Sequence, residues 1–458
     1  MEKFDLIVIG GGPGGYPLAL REASKGKKIA LVESESELGG TCLNWGCIPT
    51  KSLLASAATF RSLKKASEFG LSCDNPSFDW QKILKRKNDI TLQLRQGILK
   101  LLENKGVTIF KGKAVLNKNK IVKISGYEEP VTADKVCLCV GSVPFVPPVF
   151  PVNRDIFWTS NEALIADKVP ESLLIVGGGV IGTELGQVFC EFGSKVCIVE
   201  MLPQILTGLD SAVAKRLTPV FKKGGLEILT GKKVESLTEV DGRAKAVIDG
   251  KERTFEKVLI SVGRRVNMSF AQGSDIELEL ERGLIKVDDF YRTSEPGVYA
   301  LGDAIKGPML AHKASYDAMI LSNQWNECED SKKIKADYSL VPSCVYTHPE
   351  IAWVGKNEDN LKELNIEYKT GRSMFSANGK ALTAGEGEGQ VKVLLSADDK
   401  LLGAVIWGPE AGNIINEATI LAGFKLSCEE YGMLIHPHPT LSEAFSEAVE
   451  NARGLGVH

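Results

Sequence analysis

Residues 4–15, "FDLIVIGGGPGG", decide the fold. An apolar, strand-like run leads straight into Gly10, Gly12 and Gly15 in the spacing GxGxxG; a helical pattern follows, and a second apolar strand, "KIALVES", carries Glu33. Strand, tight turn, helix and strand in this order predict a β–α–β unit whose glycines let the backbone approach a pyrophosphate at a helix N-terminus. Glu33 stands 18 positions after Gly15, where a carboxylate can accept hydrogen bonds from a ribose. Pro17 falls near the start of the helix, where the first amides have no intrahelical partner, so a slight kink is expected and not a lost site.

The device recurs. Residues 172–200, "SLLIVGGGVIGTELGQVFCEFGSKVCIVE", repeat strand, glycines (Gly177, Gly179, Gly182), helix, strand and a terminal acid, Glu200, again 18 positions on. Two such units imply two dinucleotides, the arrangement for passing electrons from one cofactor to another. No Arg or Lys follows Glu200 within the next dozen residues to meet a 2′-phosphate, and the carboxylate would repel one, so the second unit should prefer NAD to NADP.

At 458 residues the chain exceeds one ordinary core, so roughly two to four domains are expected. Its 55 basic and 58 acidic residues leave a net charge of −3, which gives no electrostatic footprint for nucleic acid or an anionic membrane. No apolar run reaches the roughly 20 residues of a membrane span, and the glycine-broken start does not resemble a signal peptide. The chain therefore reads as a soluble cytoplasmic protein, and most of its ten cysteines, such as Cys137 and Cys139, as inert core residues.

Cys42 and Cys47, in "GGTCLNWGCIPTK", are the exception. On a regular helix they would stand about 7.5 Å apart along the axis and point in different directions, but Gly46 provides freedom to distort. With Pro49 in a first turn, a helix starts near Cys47, where dipole and orphan amides favour a thiolate. A structural bridge, a metal pair and a redox-cycling pair are the three readings. The compartment disfavours the first. The second lacks companion ligands among the five histidines (His312, His348, His436, His438, His458), so no metal site is expected. Position beside a dinucleotide fold favours redox cycling.

These residues strongly resemble the FAD-dependent pyridine nucleotide disulfide oxidoreductases. The resemblance spans essentially the whole chain, through "VGGGVIGTELG", "SVGRRVN", "VYALGDAIKGPMLAHKASYDA", "VYTHPEIAWVG" and "HPHPTLSEAF". Within the family, "GPMLAHKA" and "HPTLSEAF" look most like the dihydrolipoamide-oxidising branch, the E3 components of 2-oxoacid dehydrogenase complexes. The resemblance implies that Gly10, Gly12, Gly15, Glu33, Thr41, Lys51, Asp303 and Ala311 serve FAD, and that Gly177, Gly179, Gly182, Glu200 and Gly263 serve NAD. It implies that Cys42 is the interchange thiol met by substrate and Cys47 the thiol beside the flavin. Lys51 is implied near flavin N5, paired with Glu184. His438 matches the catalytic base and Glu443 the carboxylate that orients it, with a cis His438–Pro439 bond. A carboxylate five residues on can also fix a histidine's tautomer on general grounds. His436, seven positions from Glu443, reads as a packing or interface residue.

Trp45 and Pro437 depart from the family pattern and bear on substrate access and rate, not on reaction type. The implied architecture is α/β: two Rossmann-like dinucleotide-binding domains and a C-terminal α+β dimerisation domain. The FAD domain would take residues 1–145 and 269–337, with a β-rich excursion at 106–124. The NAD domain would take 146–268 and the interface domain 338–458, joined through "NECEDSKKIKAD". The expected partners are dihydrolipoamide on a lipoyl domain, the E2 component of a 2-oxoacid dehydrogenase or a glycine cleavage complex, and a second copy of the chain, with His438 acting on the partner's cysteines. Glutathione- or mercuric-reductase-like chemistry, or a non-catalytic docking subunit, are the alternatives. Glu200, the presence of both redox cysteines and the cysteine-free ending "NARGLGVH" speak against them.

Overall fold

A computed structural model describes residues 1–151, 153–327 and 334–457; part of the stretch "NECEDSKKIKAD" lies outside the described residues. The fold is α/β, with two mainly parallel sheets of the dinucleotide-binding kind and a C-terminal antiparallel sheet. The chain divides into two compact units: Met1–Ser52 with Lys82–Phe145 and Gly263–Tyr338, and Leu53–Gln81 with Val146–Val262 and Ser339–His458.

In the first unit the strand Glu2–Ile9 sits centrally, parallel to Ile29–Glu33 on one side and Val131–Leu138 on the other, in register Ile9↔Val32 and Ile9↔Leu138. Thr108–Lys111 and Val298–Ala300 extend the parallel part, and Ala114–Asn117 and Ile121–Ile124 add an antiparallel edge. Ile29–Glu33 is buried at every position, which explains a continuous apolar run where one solvated face would demand alternation. Helix Gly15–Ala23 runs through Pro17 and buries Leu18 and Ala19 in the same core. Each such buried Leu or Ile contributes about 1.5–3 kcal/mol.

In the second unit, Glu227–Thr230, Lys195–Glu200, Ser172–Val176, Lys257–Ile260 and Phe157–Trp158 form a parallel sheet in that order. The C-terminal sheet is antiparallel, in the order Ser343–Val345, Glu350–Gly355, Leu401–Gly408, Gln390–Leu395, Lys369–Met374, and is packed by helices Ala411–Gly423 and Glu443–Arg453. The alternating segment "QVKVLL" suggests an antiparallel sheet packed with helices, and Gln390–Leu395 is buried throughout, Lys392 included. The reason is ionic: Lys392 Nζ lies 2.7 Å from Asp210 Oδ2 and 3.2 Å from Glu358 Oε2.

The expectation that most cysteines are core residues needs correction. Of the nine described cysteines only Cys137, Cys139, Cys197 and Cys428 are buried. Cys190 lies near the end of helix Val180–Glu191 and Cys344 on the edge strand Ser343–Val345, and both are half-buried; Cys73 lies in the connection before helix Trp80–Asn104 and is exposed. Among the described residues no helix is long and apolar enough to cross a membrane.

Candidate active site

The two cysteines of the segment 39–51 sit on different helices. Gly40–Asn44 forms a short helix that ends at Trp45 (φ −136°, ψ 19°), and a new helix, Cys47–Lys64, starts at Cys47 itself. The break lets residues five apart turn towards each other, which one continuous helix forbids. The Thr50 hydroxyl donates to the Gly46 carbonyl at 2.7 Å and fastens the new first turn. Cys47 is exposed and Cys42 half-buried. The Cys42 thiol is pushed far up by its hydrogen bond to Cys47, then by burial and by the charge of Cys47, with Lys51 acting the other way. The two sulfurs are thus unequal in setting: Cys42 is half-buried on the short helix, and Cys47 stands at the N-terminus of the next one, where the dipole and orphan amides favour a thiolate.

The loop between the cysteines is held from outside. Asn44 Nδ2 donates to the Leu38 carbonyl at 3.1 Å, and Arg95 Nε, from helix Trp80–Asn104, donates to Asn44 Oδ1 at 2.7 Å. Arg86 of the same helix donates to Ser52 Oγ at 3.1 Å. Nothing in the structure explains Trp45.

Thr41 and Asp303, 262 positions apart, meet through two residues that the sequence reading did not assign. Ser142 Oγ donates to Asp303 Oδ2 at 2.6 Å and accepts from Arg264 Nε at 2.7 Å. Arg264 Nη2 reaches the Ser142 carbonyl at 2.6 Å and Thr41 Oγ1 at 3.3 Å. Burial lowers the Arg264 pKa, while the charges of Asp303 and Cys47 favour its cationic form. The signal for Arg264 was present in "SVGRRVN", but a loop arginine gives no sign of its contacts until strand Arg264–Val266 pairs with Ser142–Pro144.

Both nucleotide loops have one construction. Gly10 and Gly177 take φ of +106° and +105°, a region that only glycine enters freely. Glu33 Oε2 accepts from the Gly11 amide at 2.8 Å, and Glu200 Oε2 from the Gly178 amide at 2.7 Å. The second oxygens accept from the amides of Glu35 at 3.0 Å and Leu202 at 2.8 Å. Burial raises the Glu33 carboxyl, with the Glu35 and Gly11 amides opposing it. A Cβ placed on Gly179 would meet nothing within 4 Å, and one on Gly12 only Gly40 Cα at 3.6 Å. Each loop is thus an open cradle at a helix start with a braced carboxylate, and the residues present fit a dinucleotide in both units.

The remaining candidates fall as follows. Ala311 is the first residue of helix Ala311–Gln324, and Gly263, at φ +137°, precedes strand Arg264–Val266 in the first unit. Lys51 is half-buried on helix Cys47–Lys64. Glu184 is buried on helix Val180–Glu191, its Oε1 accepting from the Tyr346 amide at 2.8 Å. His438 Nδ1 lies 2.7 Å from Glu443 Oε1, and Oε2 of the same carboxylate accepts from the Thr440 amide at 2.7 Å. Burial pulls the Glu443 carboxyl up, but the Thr440 amide and the bond to His438, with the charges of His438 and His436, bring it below its ordinary range. The His438–Pro439 and His348–Pro349 bonds are cis. His438 is a histidine with one nitrogen oriented by a carboxylate and the other free to move a proton.

Comparison with known proteins agrees with this geometry. The model of the pyridine nucleotide-disulphide oxidoreductase family matches residues 4–318, and that of its dimerisation domain matches residues 341–449. The dihydrolipoyl dehydrogenase of Thermus scotoductus is 37% identical over 468 residues, covering 100% of this chain and 99% of its own. That of Bacillus subtilis is 36% identical over 474 residues, covering 100% and 99%. In fold, the chain is similar to LpdA of Mycobacterium tuberculosis (TM-score 0.90, 23% identity, covering 99% of this chain and 100% of that one). It is also similar to the HOCl-induced flavoprotein disulfide reductase RclA of Escherichia coli (TM-score 0.88, 24% identity, covering 98% and 99%). Cradles, cysteine pair and matched residues together make this chain a member of the pyridine nucleotide-disulphide oxidoreductase family, an FAD and pyridine nucleotide enzyme with a dimerisation domain.

Proposed function

We propose that the protein oxidises dihydrolipoamide to lipoamide with NAD, as the E3 component of a 2-oxoacid dehydrogenase or glycine cleavage complex in the cytoplasm. The observation that carries this reading is the placement of the two cysteines on either side of a helix break, Cys42 half-buried on the short helix Gly40–Asn44 and Cys47 exposed as the first residue of helix Cys47–Lys64. Relatives named dihydrolipoyl dehydrogenase along the full length support the substrate. The domain division is 1–145 with 269–337 for FAD, 146–268 for NAD and 338–458 for the dimer, with the E2 component as docking partner.

In the oxidised enzyme Cys42 and Cys47 share a disulfide. His438 of one protomer takes the proton of a substrate thiol, and the resulting thiolate attacks Cys42 Sγ of the partner. The S–S bond breaks and Cys47 leaves as a thiolate, stabilised by the helix N-terminus and the Arg264 charge. The second substrate thiol attacks the substrate sulfur of the mixed disulfide as its proton passes to Cys42, which leaves as a thiol, and the cyclic disulfide product departs while His438 retains the first proton. Glu443 keeps His438 in the tautomer that accepts at its outer nitrogen. FAD would be held by Gly10, Gly12, Gly15, Glu33, Thr41, Asp303 and Ala311, and NAD by Gly177, Gly179, Gly182, Glu200 and Gly263; together they would supply the two-electron acceptor chemistry that the thiol pair needs. Lys51, with Glu184 as the counter-charge the resemblance implies, would supply positive charge to the FAD site.

Replacing Cys47 with Ser is expected to abolish NAD reduction by dihydrolipoamide; an unchanged rate sinks the cycle. Parallel assays with dihydrolipoamide, oxidised glutathione and mercuric ion, each with both nicotinamide cofactors, test the substrate.

A further inference from the structure

We propose that His436 is a positioning residue for His438, anchored by Tyr431 and Glu417 and passing that anchorage on through Pro437. The inference rests on the reading of His438 as the base. After helix Cys428–Gly432 the chain leaves the protein surface: Met433, Leu434 and Ile435 are 81%, 57% and 99% exposed. Within one protomer the side chain of His438 is 80% exposed, so inside its own subunit little besides Glu443 holds it. Its bond to Glu443 sets the ring's tautomer and rotation but leaves the path of the backbone open.

His436 is where that backbone is caught. Its side chain is only 20% exposed, its ring centroid lies 5.0 Å from that of buried Tyr431, and its Nε2 is 3.8 Å from Glu417 Oε2. The same Glu417 oxygen accepts the Tyr431 hydroxyl, which also lies 3.1 Å from Ser446 Oγ on the helix that Glu443 opens. Glu417, Tyr431 and, through its charge, Glu443 are the titratable groups that face His436.

Pro437 then leaves little slack, because its ring fixes φ near −65°. Its carbonyl accepts from Thr440 Oγ1 at 3.0 Å, and the Thr440 carbonyl accepts from Asn378 Nδ2 at 3.0 Å. The strap 436–440 is thus pinned before and after His438. A proton acceptor must come within hydrogen-bond reach of its donor, and a misplacement of about 1 Å costs on the order of 100-fold in rate.

The test uses the flavin-loaded dimer and two rates: flavin reduction by dihydrolipoamide, which needs His438, and NADH oxidation by a quinone that draws electrons from the flavin without the cysteines. His436→Ala is expected to lower the first rate by about 10- to 100-fold, mainly in kcat and not KM, and to leave the second unchanged. His436→Phe, which keeps a ring on Tyr431, should restore most of the loss. Pro437→Gly, which frees the strap but leaves the His436 seat intact, should lower the first rate as well. A wild-type first rate in His436→Ala, or equal losses in both rates, overturns the positioning role. Full activity in His438→Gln overturns the base assignment beneath it, so the two failures are distinguishable.

Discussion

Glu33 and Glu200 hold equivalent posts, each accepting from one backbone amide of its glycine loop and from the amide two residues after itself. The spacing in the sequence suggested a ribose ligand; the structure adds a bracing role that spacing cannot express, because the partners are backbone atoms. At Gly179 an added side chain would meet open space, so Gly179→Val should fold, keep its yellow flavin and raise KM for NAD by about tenfold or more, roughly 1.4 kcal/mol of lost binding. Loss of the flavin colour instead would show that the second cradle is not the nicotinamide site. The Glu443 carboxylate is held below its ordinary range, so His438 stays oriented at every pH above about 4.3 and loses that support only as acid protonates Glu443 through its depressed value. Glu443→Gln should therefore slow flavin reduction by dihydrolipoamide by roughly 100-fold near neutral pH, within the usual worth of an oriented base, as read by stopped flow. Arg264 is the opposite case from the glutamates. Its motif was visible, but its ties to Ser142 and Thr41 join segments over a hundred positions apart, and no local pattern encodes them.

The broken helix is the central feature at the scale of elements. Gly46 and Pro49 announced a start near Cys47, and the structure places the first helical residue at Cys47. What could not be read is the brace from helix Trp80–Asn104, whose Arg95 grips Asn44 between the cysteines. A bond of this charge-assisted kind contributes about 1.5–3 kcal/mol. Arg95→Ala should release the loop and slow the reaction of Cys42 with dihydrolipoamide while the flavin remains bound; unchanged thiol kinetics would show the brace to be idle. The strand Gln390–Leu395 teaches a related lesson. It carries a lysine at a fully buried position, and two carboxylates from other elements neutralise it.

Across the second unit, the Lys392–Asp210 pair joins the C-terminal sheet to the N-cap of helix Ser211–Lys223, both side chains being 1% exposed. Burial raises the Asp210 carboxyl, but the bond and charge of Lys392 and the amides of Val213 and Glu358 pull it below its ordinary value. A depressed carboxylate contributes stability that is complete above the unfolded value of about 3.9 and is lost as pH falls through the folded one. Asp210→Asn removes the nearer of the two counter-charges of buried Lys392, leaving only Glu358 at 3.2 Å, and should cost up to about 3 kcal/mol at pH 7. Denaturant titration should find that deficit shrinking below about pH 4, where the wild type loses the same charge; a deficit independent of pH would assign the cost to packing. The sequence by itself determined the two dinucleotide folds, the paired cysteines and the His438–Glu443 couple. Each is written within a short window, in strand and helix periodicity, glycine spacing or a separation of five residues. Only the tertiary structure decided how the two sulfurs differ in burial, how Arg264 joins Thr41 to Asp303, what seats His436 and why Lys392 is buried. Those outcomes depend on burial and on charges brought together from distant segments, and neither quantity exists until the chain has folded.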